Sequence, residues 1–408
     1  MKRMFIAALA LVALAAAGCG SSKSASTSSA ASSAGSSGSA TAAASTGSGS
    51  GKCSAAIAIE GPFTGPVAQV GLEQLHFAQL AVATDNAKNG TNVTLSQDDT
   101  QLTPSIAVAK GQSIIASSAV AVVGPAGSQE VEAVGPLFGK AGIAFVSGSA
   151  TLPALASSGK NPTFFRVVPD DDVQGPQDAN YIVNHLHPKA VLIIDDDEAY
   201  SQGLVNVMIP VFKTAGIPVN HQTINGTDTG ATLAAAIKSL VTSQLTSADG
   251  VTVLPWQTAT SAQQFGLDVK QQGKTTILFG TDGDNSPSQF NIPGSYVSAF
   301  GPDISGSTSP LDQSIVSGVA KYGPYGSFGL PTYEAADVAM QAISSVCKAG
   351  QKPSRSNVLA AIKKTSIAAA ANPLGIPVAF AANGNLAGNY GYLFHVTSAG
   401  KYAEIPPK

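Results

Sequence analysis

The sequence predicts an α/β protein with two doubly wound parallel-sheet lobes. From Cys53 onward, short apolar runs alternate with longer helical patterns, and this alternation restarts near residue 170. Alternating strands and helices are typical of parallel sheets that are covered on both faces. The roughly 355 residues that follow position 52 are enough for one large domain or two ordinary ones.

In the first repeat, apolar runs predict strands and the segments between them predict helices. The strands are expected over 55–59, 93–96, 119–123, 144–146 and 164–168. The helices are expected over 73–89, 105–117 and 128–141. Thr103-Pro104 favours the second helix start, because proline suits the first turn of a helix.

The second repeat has the same rhythm, with each helix followed by a strand. Its helices are predicted over 174–185, 201–215, 232–245 and 259–271, and its strands over 190–194, 219–222, 250–254 and 276–279. An irregular stretch over 280–294 leads to a strand over 296–300. The tail predicts helices over 311–322, 333–349 and 354–364, and a last strand over 392–396.

The N-terminus has the features of an export signal. Lys2 and Arg3 precede an apolar run over 5–17, and small residues follow it. The run is shorter than the ~20 residues that a spanning helix needs. We therefore predict a signal peptide over 1–18 and an exported mature protein.

Cys19 follows the small residues directly, in an arrangement that resembles the lipobox of bacterial lipoproteins. Ala16 stands where that motif usually has leucine. We interpret Cys19 as the acylated first residue, followed over 19–52 by a flexible linker rich in Ser, Gly and Ala. The protein would then be held at the periplasmic or extracellular face of the cell membrane by lipid alone. Ordinary secretory cleavage before a disordered tail is the alternative.

Composition limits the partners and cofactors. The chain carries 12% charged residues and a net charge of -3, without a basic cluster, so we expect no nucleic acid partner. With Cys19 assigned to lipid, Cys53 and Cys347 remain as a pair, and in an exported protein we predict a disulfide between them. No Cys-x-x-Cys or His/Cys cluster occurs, and we predict neither a metal nor a cofactor.

Six loops are expected to meet at the ligand-binding edges of the two sheets, because ligands of open parallel sheets bind beyond the carboxyl ends of the strands. These loops contain Gly, Ser, Thr and acidic residues, and several lead directly into helices whose first N–H groups attract anions. They span 61–65, 124–129, 147–151, 195–200, 255–258 and 280–285. Two facing sets of such loops would form a closing trap.

Motifs in these loops occur in a distinctive order. They include Gly61-Pro62-Phe63-Thr64-Gly65, Asp98-Asp99, Ser147-Gly148-Ser149-Ala150-Thr151, Tyr200-Ser201-Gln202-Gly203 and Gly280-Thr281-Asp282-Gly283. In this order and spacing the chain resembles the type I periplasmic binding proteins that serve ABC importers of leucine, isoleucine and valine. The likeness extends from Cys53 to the C-terminus.

This resemblance implies a fold of two lobes joined by a three-segment hinge, with crossings near 167–171, 300–303 and 387–389. The first lobe would comprise 53–168 with 301–388, and the second 169–300 with 389–408. The resemblance also implies a monomer that delivers a small amino acid to an ABC permease.

The resemblance assigns site residues by position. Ser128 would bind the ligand's α-carboxylate, and Ser149, Ala150 and Thr151 would contact both carboxylate and ammonium. Tyr200 would cover the ligand, Asp282 would pair with the ammonium, and Tyr333 would reach the cleft. Trp256 is expected to line the pocket because it follows a strand end. Val70 and Trp256-Gln257 replace aromatic residues of the family, so the ligand need not be leucine.

Several alternatives stay open. Ser128 and Ser149 could be plain helix caps, and Asp284 competes with Asp282 for the amine. The protein could be a ligand sensor of the same fold, or bind an amide, an aromatic acid or a polyol. No catalytic motif is present, and we expect a binding protein and not an enzyme.

Overall fold

The computed structural model describes residues 53–246 and 250–406. The predicted signal over 1–18, the acylated Cys19 and the linker that ends at residue 52 lie outside the described residues. The described part contains two large β-sheets with helices on their faces, which confirms the predicted α/β class.

The first sheet has five parallel strands in the order β2-β1-β3-β4-β5. In chain order they are β1 (Ser54–Gly61), β2 (Asn92–Asp99), β3 (Ala119–Val123), β4 (Ala144–Ser147) and β5 (Phe164–Arg166). The helices that follow them are α1 (Ala68–Asn89), α2 (Pro104–Ala116), α3 (Ser128–Ala141) and α4 (Ala154–Ser157). Parallel neighbours need such crossover connections.

The second sheet has seven strands in the order β14-β13-β10-β9-β8-β6-β7. Its parallel part consists of β6 (Val191–Asp195), β7 (Val219–Thr223), β8 (Val251–Leu254), β9 (Ile277–Gly280) and β10 (Tyr296–Ala299). The helices of this part are α5 (Asp171–Tyr181), α6 (Ala199–Thr214), α7 (Gly230–Gln244) and α8 (Ala259–Gln271). Two antiparallel strands extend the sheet beyond β10.

The tail of the chain returns to both sheets. Helices α9 (Pro310–Val319), α10 (Gly329–Lys348) and α11 (Arg355–Ile362) come first, and α10 packs against α1 and the first sheet. A small pair, β11 (Ser366–Ile367) and β12 (Val378–Ala379), follows. Strands β13 (Tyr392–Val396) and β14 (Tyr402–Ile405) then complete the second sheet. The chain thus passes between the two sheets three times, and the exact lobe boundaries stay predictions.

Each large sheet is buried on both faces. On β6, Leu192 and Ile194 pack into one core cluster, whereas Val191 and Ile193 pack into the other. This alternation follows from the two-residue period of a strand. Strands buried on both faces read as continuous apolar runs, which is why the sequence pattern identifies them.

The structure differs from the prediction at several elements. The helix predicted over 174–185 starts earlier, as α5, and ends in a π-helix over Ile182–Leu186. Strand β14 was not expected, because its residues are only half-buried or exposed and carry no apolar run. The very short α4, β11 and β12 were also missed.

The predicted disulfide between Cys53 and Cys347 is present, with the two Cα atoms 5.9 Å apart. It joins the residue before β1 to the last turn of α10, across 294 residues of sequence. A cross-link that closes so long a loop restricts the unfolded chain strongly.

We expect the double replacement Cys53→Ser and Cys347→Ser to lower the free energy of unfolding by about 2–4 kcal/mol. Denaturant unfolding of both proteins measures this difference. Reduction of the wild-type protein should give a similar loss and should leave the double variant unchanged. Equal stability of the oxidised and reduced wild-type protein would contradict the prediction.

Candidate functional site

A small cavity lies where the carboxyl ends of strands from both sheets face each other. Its volume is about 40 Å³, counted as the room available to the centres of water molecules. One buried water needs roughly 10–15 Å³ on this measure. The residues that line it are Pro62, Val67, Val70, Leu102, Ala126, Gly127, Ser128, Ser149, Tyr200, Gln257, Asp282, Gly283 and Phe328.

The first-sheet wall presents hydroxyl groups and the start of a helix. Ser128 is the first residue of α3, and its Oγ accepts a hydrogen bond from Leu152 N at 3.2 Å. Ser149 Oγ donates to Ala126 O at 2.8 Å and accepts from Gln74 Nε2 at 2.8 Å. The Ser128 hydroxyl therefore keeps its proton for a ligand, at a helix end that favours negative charge.

An acid within the first turn of α3 is kept from adding much negative charge to this wall. Glu130 is fully buried, and one of its carboxyl oxygens accepts from Gly127 N at 2.8 Å. Burial raises the pKa of Glu130 to about 7, although hydrogen bonds from Thr100 and Gly127 lower it. A partly protonated Glu130 repels an anion at Ser128 less than a charged one would.

The second-sheet wall is organised around the carboxyl group of Asp282. Tyr200 OH donates to Asp282 Oδ1 at 2.6 Å, and Gln174 Nε2 donates to the same oxygen at 2.8 Å. The backbone N–H of Gly283 donates to Tyr200 OH at 3.0 Å, and the hydroxyl of Thr281 is hydrogen-bonded to the same oxygen at 2.7 Å. These contacts fix the ring of Tyr200, which sits in the first turn of α6, against the acid.

The hydrogen bonds continue behind Asp282 to a second buried acid. Gln174 Nε2 also donates to Ser298 Oγ at 3.0 Å, and Ser298 Oγ donates to Asp178 Oδ2 at 2.8 Å. Asp178 thereby orients the serine hydroxyl, and the serine in turn orients the amide of Gln174. Gln174 and Ser298 were not predicted as site residues, and only their structural neighbours reveal this role.

Burial raises the pKa of each acid in this wall. The pKa of Asp282 rises to about 6, although the hydrogen bonds from Tyr200 and Gln174 lower it. The pKa values of Asp171 and Asp178 rise well above the ordinary value because of burial, and the charge of Asp282 raises both further. Because these buried carboxyl groups are poorly solvated, a cation bound next to them would stabilise their charged forms.

The predicted residues are brought together only in part. Ser128, Ser149, Tyr200 and Asp282 line the cavity, as expected from their loops. Ala150 and Thr151 are fully buried and are not lining residues. The Ala150 N–H donates to Ser147 Oγ at 3.0 Å, and its carbonyl accepts from Arg166 at 3.2 Å. The hydroxyl of Thr151 faces the buried carboxyl group of Asp171 and lowers its pKa, against the larger raising effect of burial.

Trp256 and Tyr333 lie in the cores instead of the cavity. The ring of Trp256 packs edge-on against Phe265, with the centroids 6.0 Å apart. The strand pleat carries on past β8, so that Trp256 falls on the same face as Leu254 and its neighbour Gln257 lines the cavity. Tyr333 belongs to the first-sheet core on α10, and Phe328, just before that helix, reaches the cavity.

Most lining residues that the predictions did not name come from the six expected loops. Pro62, Ala126, Gly127, Gln257 and Gly283 all do so. Four lining residues do not: Val67 and Val70 lie at the start of α1, Leu102 in the loop after β2, and Phe328 just before α10. The loop after β2 also follows the carboxyl end of a parallel strand, but it was not among the six predicted loops.

Two uncharged contacts join the opposite sides of the cleft. Gln69, in the first turn of α1, exchanges hydrogen bonds of 2.6 and 2.9 Å with Ser286. Gln129 Nε2, in α3, donates to Gln257 Oε1 at 3.1 Å. The structure thus describes a closed cleft in which neutral side chains bridge the mouth.

Neither a metal cluster nor a membrane-spanning helix occurs within residues 53–246 and 250–406. No group of three or more His, Cys, Asp or Glu side chains there could hold a metal ion. None of the helices described there is both long and apolar enough to cross a bilayer.

Two doubly wound sheets that share a cavity at the carboxyl ends of their strands define a two-lobed solute-binding protein. The chain belongs to the periplasmic binding protein family, whose sequence pattern matches residues 54–401. This confirms the family that the loop motifs indicated.

Curated relatives match part of the chain. It is 30% identical over 166 residues to the Leu/Ile/Val-binding protein of Citrobacter freundii, and 32% identical over 152 residues to the leucine-specific-binding protein of Salmonella typhimurium. These matches cover 40% and 36% of this chain, and 45% and 41% of the relatives. The chain thus matches less than half the length of these relatives.

Solved structures extend the fold comparison to most of the chain. The branched-chain amino acid transporter substrate-binding protein LivJ of Streptococcus pneumoniae, in complex with isoleucine, superposes with a TM-score of 0.74 at 21% identity. The leucine-binding protein LivK of Thermotoga maritima superposes with a TM-score of 0.72 at 20% identity. They cover 87% and 86% of this chain, and 100% and 98% of their own. At these identities the likeness establishes the fold.

Asp282→Asn should stabilise the ligand-free protein at alkaline pH. Between the ordinary pKa of 3.8 and the folded value of about 6, the unfolded chain releases a proton that the folded protein retains. Stability therefore falls as the pH rises through this window, by about 3 kcal/mol for this group. The asparagine variant does not titrate at this position and therefore keeps this stability at high pH. It also removes a negative charge next to Asp171 and Asp178.

Thermal and denaturant unfolding of both proteins at pH 4 and pH 8 measures the effect. The two proteins should have similar stability at pH 4, and the variant should be the more stable at pH 8. A variant that is equally or less stable at pH 8 would show that Asp282 is not a destabilising buried charge.

Proposed function

We propose that this protein is an exported solute-binding lipoprotein that captures a small α-amino acid, branched-chain or related, and delivers it to an ABC importer. The supporting observation is the asymmetry of the cavity. Asp282 is the one carboxylate among its described lining residues, and the opposite wall offers hydroxyls and the first turn of a 14-residue helix.

The ligand's negative end would lie at Ser128. A carboxylate leaves water only if several hydrogen bonds replace its hydration. The Ser128 hydroxyl and the N-terminus of α3 are neutral donors suited to that task, whereas Ser149 lines the same wall with its hydroxyl proton already donated to Ala126 O. Thr151 lies in the same loop as Ser149 but is buried outside the cavity, beside Asp171.

The ligand's positive end would lie at Asp282. Tyr200 and Gln174 hold the carboxyl group by one oxygen, which fixes its direction before the ligand arrives. A preorganised counter-charge in a buried site binds a cation more strongly than an exposed one does. The ammonium would also relieve the unfavourable burial of Asp282 itself.

An apolar side chain suits the rest of the cavity. Val67, Val70, Leu102 and Phe328 supply an apolar wall between the two polar ends. The names of the curated relatives, which bind leucine, isoleucine and valine, support the same ligand class. An acid at one end and neutral donors at the other match a ligand with both an ammonium and a carboxylate, which argues against amides, aromatic acids and polyols, since these lack one or both charges.

Asp282→Asn should weaken binding of the amino acid by well over tenfold, which corresponds to more than about 1.4 kcal/mol. A thermal-shift screen of amino acids, amides and small acids identifies the ligand first, because a ligand that binds the native state raises the unfolding temperature. Calorimetry then measures the affinity of the variant.

Asp284→Asn is the matched control. Asp284 is a fully buried neighbour in the same turn, and it does not line the cavity. The affinity of Asp284→Asn should stay within about threefold of the wild type, a smaller change than the tenfold that corresponds to about 1.4 kcal/mol. Undiminished binding by Asp282→Asn would refute the ammonium role, and a larger loss in Asp284→Asn would transfer that role to Asp284.

The lipid anchor rests on Cys19 and is tested separately. Expressed with its own signal segment, Cys19→Ser should move from the membrane fraction to the soluble fraction, since one thiol carries the whole attachment. Ser21→Ala, in the same linker, should stay with the membrane. Immunoblots of the fractions and metabolic labelling with a fatty acid report the outcome, and a membrane-bound Cys19→Ser protein would argue for another mode of attachment.

A further inference from the structure

Leu102 enters the ligand cavity from a loop that belongs to no helix or strand. The loop spans 100–103 between β2 and α2, and Leu102 is the member of it that lines the cavity. The side chain is half-buried. Its loop follows β2, the edge strand of the first sheet, and Pro62 in the loop after β1 lines the same cavity.

The backbone that carries Leu102 is held in an unfavourable conformation. Gln101 and Leu102 both have left-handed φ angles, of 54° and 57°. Side chains other than glycine and asparagine seldom adopt this region, and two such residues in succession are rarer still. Such strain persists only where the surroundings over-determine it, and it is concentrated at functional sites.

Asp99, the last residue of β2, holds this loop by hydrogen bonds. Its Oδ1 accepts from Gln101 N at 3.2 Å and from Phe63 N at 2.8 Å, and its Oδ2 accepts from Thr64 Oγ1 at 2.6 Å. These bonds lower the pKa of Asp99 despite the opposing effect of burial. One carboxylate thus ties the strained loop to the loop after β1, and both loops line the cavity.

A glycine makes room for the leucine. A Cβ atom at Gly127 would lie 2.8 Å from Leu102 Cδ1, closer than real Cβ contacts allow. Gly127 directly precedes Ser128, the residue assigned to the ligand's carboxylate. The δ-methyl group of Leu102 therefore ends one residue from that end of the ligand.

We propose that Leu102 is a specificity-determining residue that sets the upper size of the ligand's side chain. The inference rests on the proposed function. It adds to that function a preference for short apolar side chains over leucine-sized or aromatic ones. The room of about 40 Å³ for water centres is only about three times what one buried water needs. A smaller side chain at position 102 would leave the space of the δ-methyl groups empty and would remove this size limit.

The test compares affinities for alanine, valine, leucine and phenylalanine by calorimetry. Leu102→Ala should shift the affinity ratio of phenylalanine to valine at least tenfold in favour of phenylalanine, because one methylene of fit in an apolar pocket changes affinity tenfold or more. Leu102→Met preserves the volume and should keep the wild-type ratio. Gln101→Gly relieves the neighbouring strain without altering the cavity wall, and should also keep it.

Each outcome has a consequence. A ratio that changes less than threefold in Leu102→Ala, or equally in Gln101→Gly, overturns the size limit while leaving amino-acid binding intact. If the wild-type protein binds none of the four amino acids, the proposed function fails. The affinities for the carboxylic acids and amides that carry the same side chains are then compared in the same way. A shift of the large-to-small affinity ratio in Leu102→Ala would still support the size limit. Absence of binding by all of these compounds overturns both proposals.

Discussion

The buried carboxyl group of Asp282 is the constraint around which the cleft is organised. A carboxylate removed from water costs several kcal/mol unless hydrogen bonds or a counter-charge replace its hydration. Tyr200 and Gln174 replace part of it, and the elevated pKa shows that they do not replace all of it. Under the proposed function, a ligand ammonium would remove the remaining deficit, so the acid that pairs with the ligand would also weaken the ligand-free fold.

Under the proposed function, closure of the cleft would depend on the ligand for a related reason. The two contacts across the mouth, Gln69 with Ser286 and Gln129 with Gln257, join neutral groups. A neutral hydrogen bond contributes only about 0.5–1.5 kcal/mol, because water offers the same partners in an open form. Neutral latches thus leave the two forms close in free energy. A ligand that touches both walls can then decide between them by its preference for the closed form.

Sequence periodicity predicted the repeating elements well and the site less completely. The buried strands were predictable because both of their faces are apolar, as on β6, and the loops because parallel strands end at one edge. Ser128, Ser149, Tyr200 and Asp282 followed from that rule and from the family motifs. Trp256 did not, since a chain that keeps its pleat past the strand end sends alternate residues back into the core. Leu102 was not predicted, because its place in the cavity depends on the left-handed dihedrals of Gln101 and Leu102 in the loop directly after β2.

No cationic side chain is among the described residues that line the cavity. The guanidinium of Arg166 is engaged in other contacts. It is fully buried at the end of β5 and pairs with Asp170 at 3.0 Å. Its other nitrogens donate to the carbonyls of Ala150 and Leu152 and to Asn385. All three nitrogens of the guanidinium are thus engaged, and they hold the loop after β4 to the start of α5. Under the proposed function, a ligand carboxylate would therefore be held by neutral donors. Since these bind by geometry and add no net charge, the space that Leu102 leaves in the cavity would help to decide which ligand fits.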